Sequence, residues 1–222
     1  MTLFEMGIDP ATLGPLLLTV RVLIVAGVIL LPGGVLLGYY LSGENSLSRT
    51  VVDFFVVVPL VFPPIATGFL LLLLIGRDGP IGAILPVDFV FAFPGLVLAS
   101  VVSGLPLVVK PVEAALRDQG KKLSEVAAVL GKTPWQTFVL VLLPAIRKPM
   151  LAGWLLALGR SMGEVGITLM LGGNIAGRTN TLSLEIYNCV FLGEFERAMV
   201  LCCIVGTISC GLLFILKRMS AI

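Results

Sequence analysis

Five long apolar runs, at roughly 13–41, 51–76, 89–109, 149–171 and 197–216, take up most of this chain of 222 residues. A helix needs about 20 mostly apolar residues to cross the hydrocarbon core of a bilayer, and each run meets that length. The pattern predicts an all-α, polytopic membrane protein with about five transmembrane helices. Composition agrees: 58% of residues are hydrophobic and 13% charged, where soluble domains carry charge at about a quarter of positions. The polar segments between the runs are short, so residues 1–222 are expected to form a single transmembrane domain.

Several classes of chemistry fall away on counting. The net charge is +2, from 15 basic and 13 acidic residues, with no Lys/Arg block of the kind that tracks phosphates, so nucleic acid is not an expected partner. There is no His, and Cys189, Cys202, Cys203 and Cys210 lack metal-site spacing. They read as small packing residues in or near membrane helices, with no metal or cofactor expected. The first eleven residues hold Glu5 and Asp9 but no Lys or Arg. A cleaved signal would carry a positive start, so the N-terminus is expected to be retained.

Two runs contain helix breakers. The first can tilt, or bend at Pro32, Gly33 and Gly34. The second carries Pro59, Pro63 and Pro64. Interrupted helix within a membrane survives only where protein or a wet cavity satisfies the freed backbone, so this site reads as a packing kink or a cavity-lining segment.

Basic residues set the orientation. With the loop between runs three and four on the cytoplasmic side, that side holds ten: Arg49, Lys110, Arg117, Lys121, Lys122, Lys132, Arg147, Lys148, Lys217 and Arg218. The opposite side holds three, Arg77, Arg178 and Arg197, with Arg21 and Arg160 inside runs. The N-terminus is therefore expected outside and the C-terminus in the cytoplasm.

That cytoplasmic loop, about 110–148, reads as two short helices, 111–118 and 124–130. Ser124 is a candidate N-cap for the second, and Gly131 can end it in the left-handed conformation. With Ala127 and Ala128 on its surface, such a helix suits a groove in a partner. The run Glu125-Val-Ala-Ala-Val-Leu-Gly131, nine residues, then Val141-Leu-Leu-Pro144 resembles the EAA signature of ABC importer permeases. Val126 departs from the usual Ala and Val141 replaces Ile. The upstream Glu113-Ala114-Ala115 fails the same template, which would need Gly at Gln119 and Pro at Lys132. By this resemblance Glu125, Ala127, Ala128, Gly131 and Pro144 would couple the membrane helices to a cytoplasmic ATPase.

In the fourth run, Arg160 and Glu164 stand four residues apart near the middle, and so are expected on one helix face. Ionisable groups at that depth cost several kcal/mol unless paired or wet. They read either as a structural ion pair or as part of a pathway or gate. The stretches 159–166 and 172–187, with the Pro-Leu-Val-Phe-Pro-Pro run at 59–64, resemble the molybdate branch of these permeases. Tungstate carriers are also similar, as are sulfate permeases, which are usually longer.

The resemblance implies a homodimer in the cytoplasmic (inner) membrane, two cytoplasmic ATPase subunits and an extracytoplasmic oxyanion-binding protein. Asn174, Arg178 and Thr179 would form an outer rim facing that protein. The chain has no Gly-x-x-x-x-Gly-Lys-Ser/Thr loop, so ATP hydrolysis is expected in a separate subunit and the chain is not expected to be an enzyme. Positive groups within the runs are limited to Arg21 and Arg160, so no tight oxyanion site is expected among them. A secondary transporter, the rival reading, is disfavoured because five spans do not divide into repeated halves.

Overall fold

The computed structural model describes residues 10–84 and 88–220, and the helices there begin and end where local chemistry dictates. The retained N-terminus expected from Glu5 and Asp9 lies outside these residues. Among the described residues ten α-helices follow in order: α1 (Pro10–Leu41), α2 (Leu47–Val61), α3 (Pro64–Ile75), α4 (Phe93–Val129), α5 (Pro134–Thr137), α6 (Leu143–Ala145), α7 (Arg147–Met162), α8 (Gly166–Gly172), α9 (Leu182–Leu192) and α10 (Phe195–Ser220). A π-helical turn, Phe138–Leu142, joins α5 to α6. No strand occurs among the described residues.

The five runs are not five straight spans. Among the described residues, α1, α4 and α10 alone are long and apolar enough to cross a membrane unaided. Run two breaks at Phe62 and Pro63: the residue before a proline is pushed to extended backbone, and Phe62 sits at φ −77°, ψ 142°. Pro64 then opens α3, a position where its missing N–H costs nothing. Run four breaks at 163–165, between α7 and α8. The two interruptions meet. A Cβ on Gly166 would lie 2.8 Å from Ile65 N, and one on Gly68 would lie 2.9 Å from Ile167 Cα, so α3 and α8 pack backbone to backbone.

Helix α4 is the hub, with 61% of its most apolar stretch buried, against 33% for α1 and 6% for α10. It packs on α1 and α7 through small residues that let backbones approach, as in other membrane bundles. Gly34 and Gly38 of α1 face Val108 and Val112; a Cβ on Gly38 would lie 2.6 Å from Val112 Cγ1. Gly153 of α7 lies against the Leu107 carbonyl of α4, and Gly104 of α4 faces Ala157 and Ser161 of α7. Val22, Ala26, Leu30, Leu96, Val108 and Ala157 fill the space between. Trp154 Nε1 donates to Gly27 O at 2.9 Å, closing the triangle between α7 and α1.

Two expectations for the 110–148 loop are corrected. Residues 111–130 do not form two helices: α4 runs unbroken from the membrane through Val129. Ser124 lies inside it and caps nothing. Gly120, in the gap expected between those two helices, is instead a buried contact, with Leu116 and Leu142 at van der Waals distance from where its Cβ would stand. The packing of Phe138 and Leu142 against Val112 and Leu116 offsets the weak helix propensity there. Helix α9 is a further departure, since the region around it reads in sequence as an outer loop.

The close approaches predict a graded response. Gly153→Ala should force α7 away from the Leu107 carbonyl and lower stability by about 1–3 kcal/mol, the usual cost of overpacking. Gly159→Ala, with nothing within 4 Å of its Cβ, should leave it unchanged or slightly raised. Thermal unfolding of the two variants in the same detergent measures the contrast.

Candidate functional site

Three features stand out: an apolar apex at one end of the bundle, an ion pair at the α7–α8 break, and a braced loop at the other end. The apex begins where α4 stops. Its 37 residues span about 55 Å, well beyond the roughly 30 Å of a bilayer core. Gly131 takes φ +73°, and two hydrogen bonds close the helix end, Gly131 N to Ala128 O and Lys132 N to Ala127 O, both 3.0 Å. The chain then restarts at once. Thr133 Oγ1 accepts from Gln136 N at 3.3 Å and Gln136 Oε1 accepts from Thr133 N at 3.1 Å, with Pro134 in the first turn. That reciprocal cap was not singled out from the sequence, although Thr-Pro-x-Gln carries its signal.

This tight reversal leaves a contiguous set of apolar side chains in the open: Val126, Val129, Leu130 and Trp135 are 60%, 89%, 72% and 70% exposed. Of the residues expected here, Glu125, Ala128, Gly131 and Pro144 are exposed. Ala127 is not on the surface but buried, on the α4 face that carries Leu116, Gly120 and Leu123 toward the returning segment. Trp135 was missed in sequence because a lone aromatic in a polar loop carries no periodic signal.

The apex is anchored to the bundle at two points. Phe138 stacks edge-on against Tyr39 of α1, ring centroids 4.9 Å apart, and lies 6.0 Å from the Trp135 ring. Above it, Lys110 pairs with Asp53 of α2 and with Glu113 at 2.9 Å. Arg117 pairs with Glu113 at 3.1 Å and donates to Leu41 O at the end of α1, also at 3.1 Å. Glu113, rejected on spacing as part of the signature, is thus the bridge between two cations.

At the α7–α8 break, Arg160 NH1 contacts Glu164 Oε2 at 2.8 Å; the Glu164 side chain is 1% exposed and that of Arg160 is 38%. The two do not share one continuous helix, because α7 ends at Met162. Glu164 instead uses its second oxygen to accept Ile167 N at 2.9 Å, holding the first turn of α8. Arg21 is exposed on α1 and does not join this pair. Asp53, on α2, belongs to the Lys110 cluster.

The opposite end is a polar network. Glu185 on α9 accepts Asn180 Nδ2 at 2.5 Å and pairs with Arg197 of α10, also at 2.5 Å. Asn174, with φ +52°, donates to Asn188 Oδ1 at 2.6 Å. Thr179 is fully buried: its hydroxyl donates to Gly172 O at 2.6 Å and accepts Ile175 N at 2.9 Å, so it fastens the loop from within. Arg178 is exposed, as are Ile175, Ala176 and Gly177. Among the described residues, no cluster of three or more His, Cys, Asp or Glu could hold a metal ion.

Gly131 generates a test. A β-branched residue there should strain the left-handed cap by about 1–2 kcal/mol, although space beside it is open. Gly131→Val should therefore displace the apex, while Gly131→Asn, which tolerates this conformation, should retain it. Protease protection of the 125–135 segment reports the difference.

Comparison with known proteins adds the following. Residues 31–217 match the family described as "Binding-protein-dependent transport system inner membrane component". The chain is 34% identical over 197 residues to the molybdenum transport system permease protein ModB of Azotobacter vinelandii, covering 87% of each chain. It is 35% identical over 177 residues to ModB of Haemophilus influenzae, covering 78% of this chain and 77% of that one. With the sulfate transport system permease protein CysW of Escherichia coli it shares 33% identity over 202 residues, covering 87% of this chain and 69% of that one. Among solved structures, a chain of a bacterial alginate ABC transporter, in complex with an alginate pentasaccharide-bound periplasmic protein, superposes with TM-score 0.73. Identity there is 18%, covering 97% of this chain and 79% of the other. At that identity the likeness speaks for the fold.

Proposed function

The chain belongs to the binding-protein-dependent transport system inner membrane components, and from that premise we propose that it is the membrane permease of an ATP-driven importer of molybdate. The observation that carries the substrate is the similarity to the Azotobacter vinelandii molybdenum permease at matched length, 87% of both chains. Identity alone does not separate this from sulfate, since the CysW permease stands at 33%. Several molybdenum permeases match over most of both chains, which supports molybdate, with sulfate as the alternative.

The working unit is two copies of this chain in the cytoplasmic membrane, two cytoplasmic ATPase subunits below and an extracytoplasmic binding protein above. The apex docks the ATPase: Val126, Val129, Leu130 and Trp135 form the apolar contact, Glu125 and Ala128 flank it on α4, and Pro144 lies further back on the returning segment. Ala127 and Gly131 act indirectly by fixing the reversal. Because α4 is one helix from Phe93 to Val129, a displacement at the apex is delivered as a rigid movement to the bundle. The Phe138–Tyr39 contact and the Arg117 bond to Leu41 O carry α1 with it. Arg160 and Glu164 lie at the joint between α7 and α8, where repacking of that joint would gate the pathway. Asn174 and Thr179 hold the outer loop so that Arg178 and its neighbours meet the binding protein.

Selectivity then resides outside this chain. Arg160 is already compensated by Glu164, and a dianion in a low-dielectric bundle needs fixed donors or water. Reconstituted complexes should transport labelled molybdate in preference to sulfate, with tungstate as the closest competitor. Calorimetry on permease and ATPase without the binding protein should show no micromolar molybdate site; a sulfate preference would overturn the substrate, and a tight site within the bundle would overturn the placement of selectivity outside this chain.

The proposed orientation has its own test. Asn180 is buried, so the outward reporter belongs at Arg178. In a background lacking the four native cysteines, single cysteines at Lys121 and Arg178 should react with an impermeant thiol reagent from opposite sides. Reaction of both from outside would reverse the assigned topology.

A further inference from the structure

Six polar side chains from separate parts of the chain line one small cavity inside the bundle. They are Thr19 of α1, Ser100 of α4, Ser161 of α7, Glu164 at the break, Thr168 of α8 and Thr181 ahead of α9. All six are more than nine-tenths buried. A concentration of polar groups in an apolar bundle is costly unless each finds a partner.

Most do. Ser161 Oγ donates to Ser100 O at 2.8 Å, and Thr19 Oγ1 donates to Pro15 O and accepts Leu182 N, both at 2.8 Å. Glu164 takes one hydrogen bond on each oxygen, from Arg160 and from Ile167 N, leaving lone pairs unused on both. Thr181 does not: its hydroxyl is fully buried and has no protein partner. The centre of a water-sized sphere can move through about 10 Å³ of the cavity, which is roughly the room one water needs.

We infer that this cavity is a binding site for one structural water, held by Thr181 Oγ1 and the Glu164 carboxylate. The occupant is neutral and small for stated reasons. Arg160 already balances Glu164, so a cation would add net charge at low dielectric, and an oxyanion is too large and would face a carboxylate. A water both donates and accepts, which answers an orphan hydroxyl and a carboxylate with spare lone pairs together. It thereby joins the α7–α8 break, which has no continuous helical ladder, to the segment leading into α9.

Hydroxyl-radical footprinting of the full-length protein in nanodiscs tests this. Bound water is radiolysed in place, so Met162, which lines the cavity at 3% exposure, should be oxidised alongside Trp135, which is 70% exposed at the apex. Thr181→Val should reduce that oxidation several-fold and lower Tm, while Thr181→Ser should preserve both. Met162 remaining unmodified at doses that saturate Trp135 would overturn the site. So would a Thr181→Val protein as stable as the parent or more so, because removing a truly orphaned hydroxyl relieves its desolvation penalty. Exchanging sodium for choline should change nothing; a sodium-dependent rise in Tm lost in Thr181→Val would overturn a neutral occupant.

Discussion

Backbone approach at α4 is the constraint on which the rest of the molecule depends. In lipid there is little hydrophobic gain from bringing one apolar helix against another, so association rests on close packing and polar contacts. Gly34 and Gly38 admit the Val108 and Val112 side chains, and Gly153 admits the Leu107 carbonyl. With α1 and α7 fixed on α4, the polar groups they carry arrive at set positions. Ser161 reaches Ser100 O, and Trp154 reaches Gly27 O. The apex and the joint at the end of α7 are mounted on this three-helix unit.

The interrupted helices follow from it. Once α7 is held, the chain at Gly163 turns away and α8 is free to pack on α3, whose own start is set by Pro63 and Pro64. The freed backbone groups then need partners, and Glu164 supplies one by accepting Ile167 N. A buried ion pair is a weak source of net stability, because desolvation offsets much of its attraction. Its value here is positional: removing either charge would leave the other uncompensated at the joint.

The surfaces left outside the unit divide by composition. Helix α10 is almost wholly exposed and apolar, as lipid contact demands. The apex is apolar too, yet it lies far along α4 beyond the bundle and is ringed by Glu125, Lys132 and Lys122. An apolar patch beside charged side chains is the composition that the proposed docking to a partner protein requires.

Much was legible in the sequence because it is written locally. Apolar run length determined an all-helical membrane protein, prolines located the break between α2 and α3, and Gly131 set the apex with the downstream Leu143-Pro144 in register. Tertiary structure decided what depends on partners distant in the chain. The Gly120 region reads as a gap, but the returning Phe138 and Leu142 make it a contact and keep α4 whole. Ala127 and Thr179 read as surface residues, and packing turns both inward. Spacing put Arg160 and Glu164 on one helix; the structure pairs them across a break instead. Periodicity is a property of neighbouring residues, whereas burial and pairing are settled by which backbone comes within a few ångströms, and that was fixed by the glycines of α1, α4 and α7.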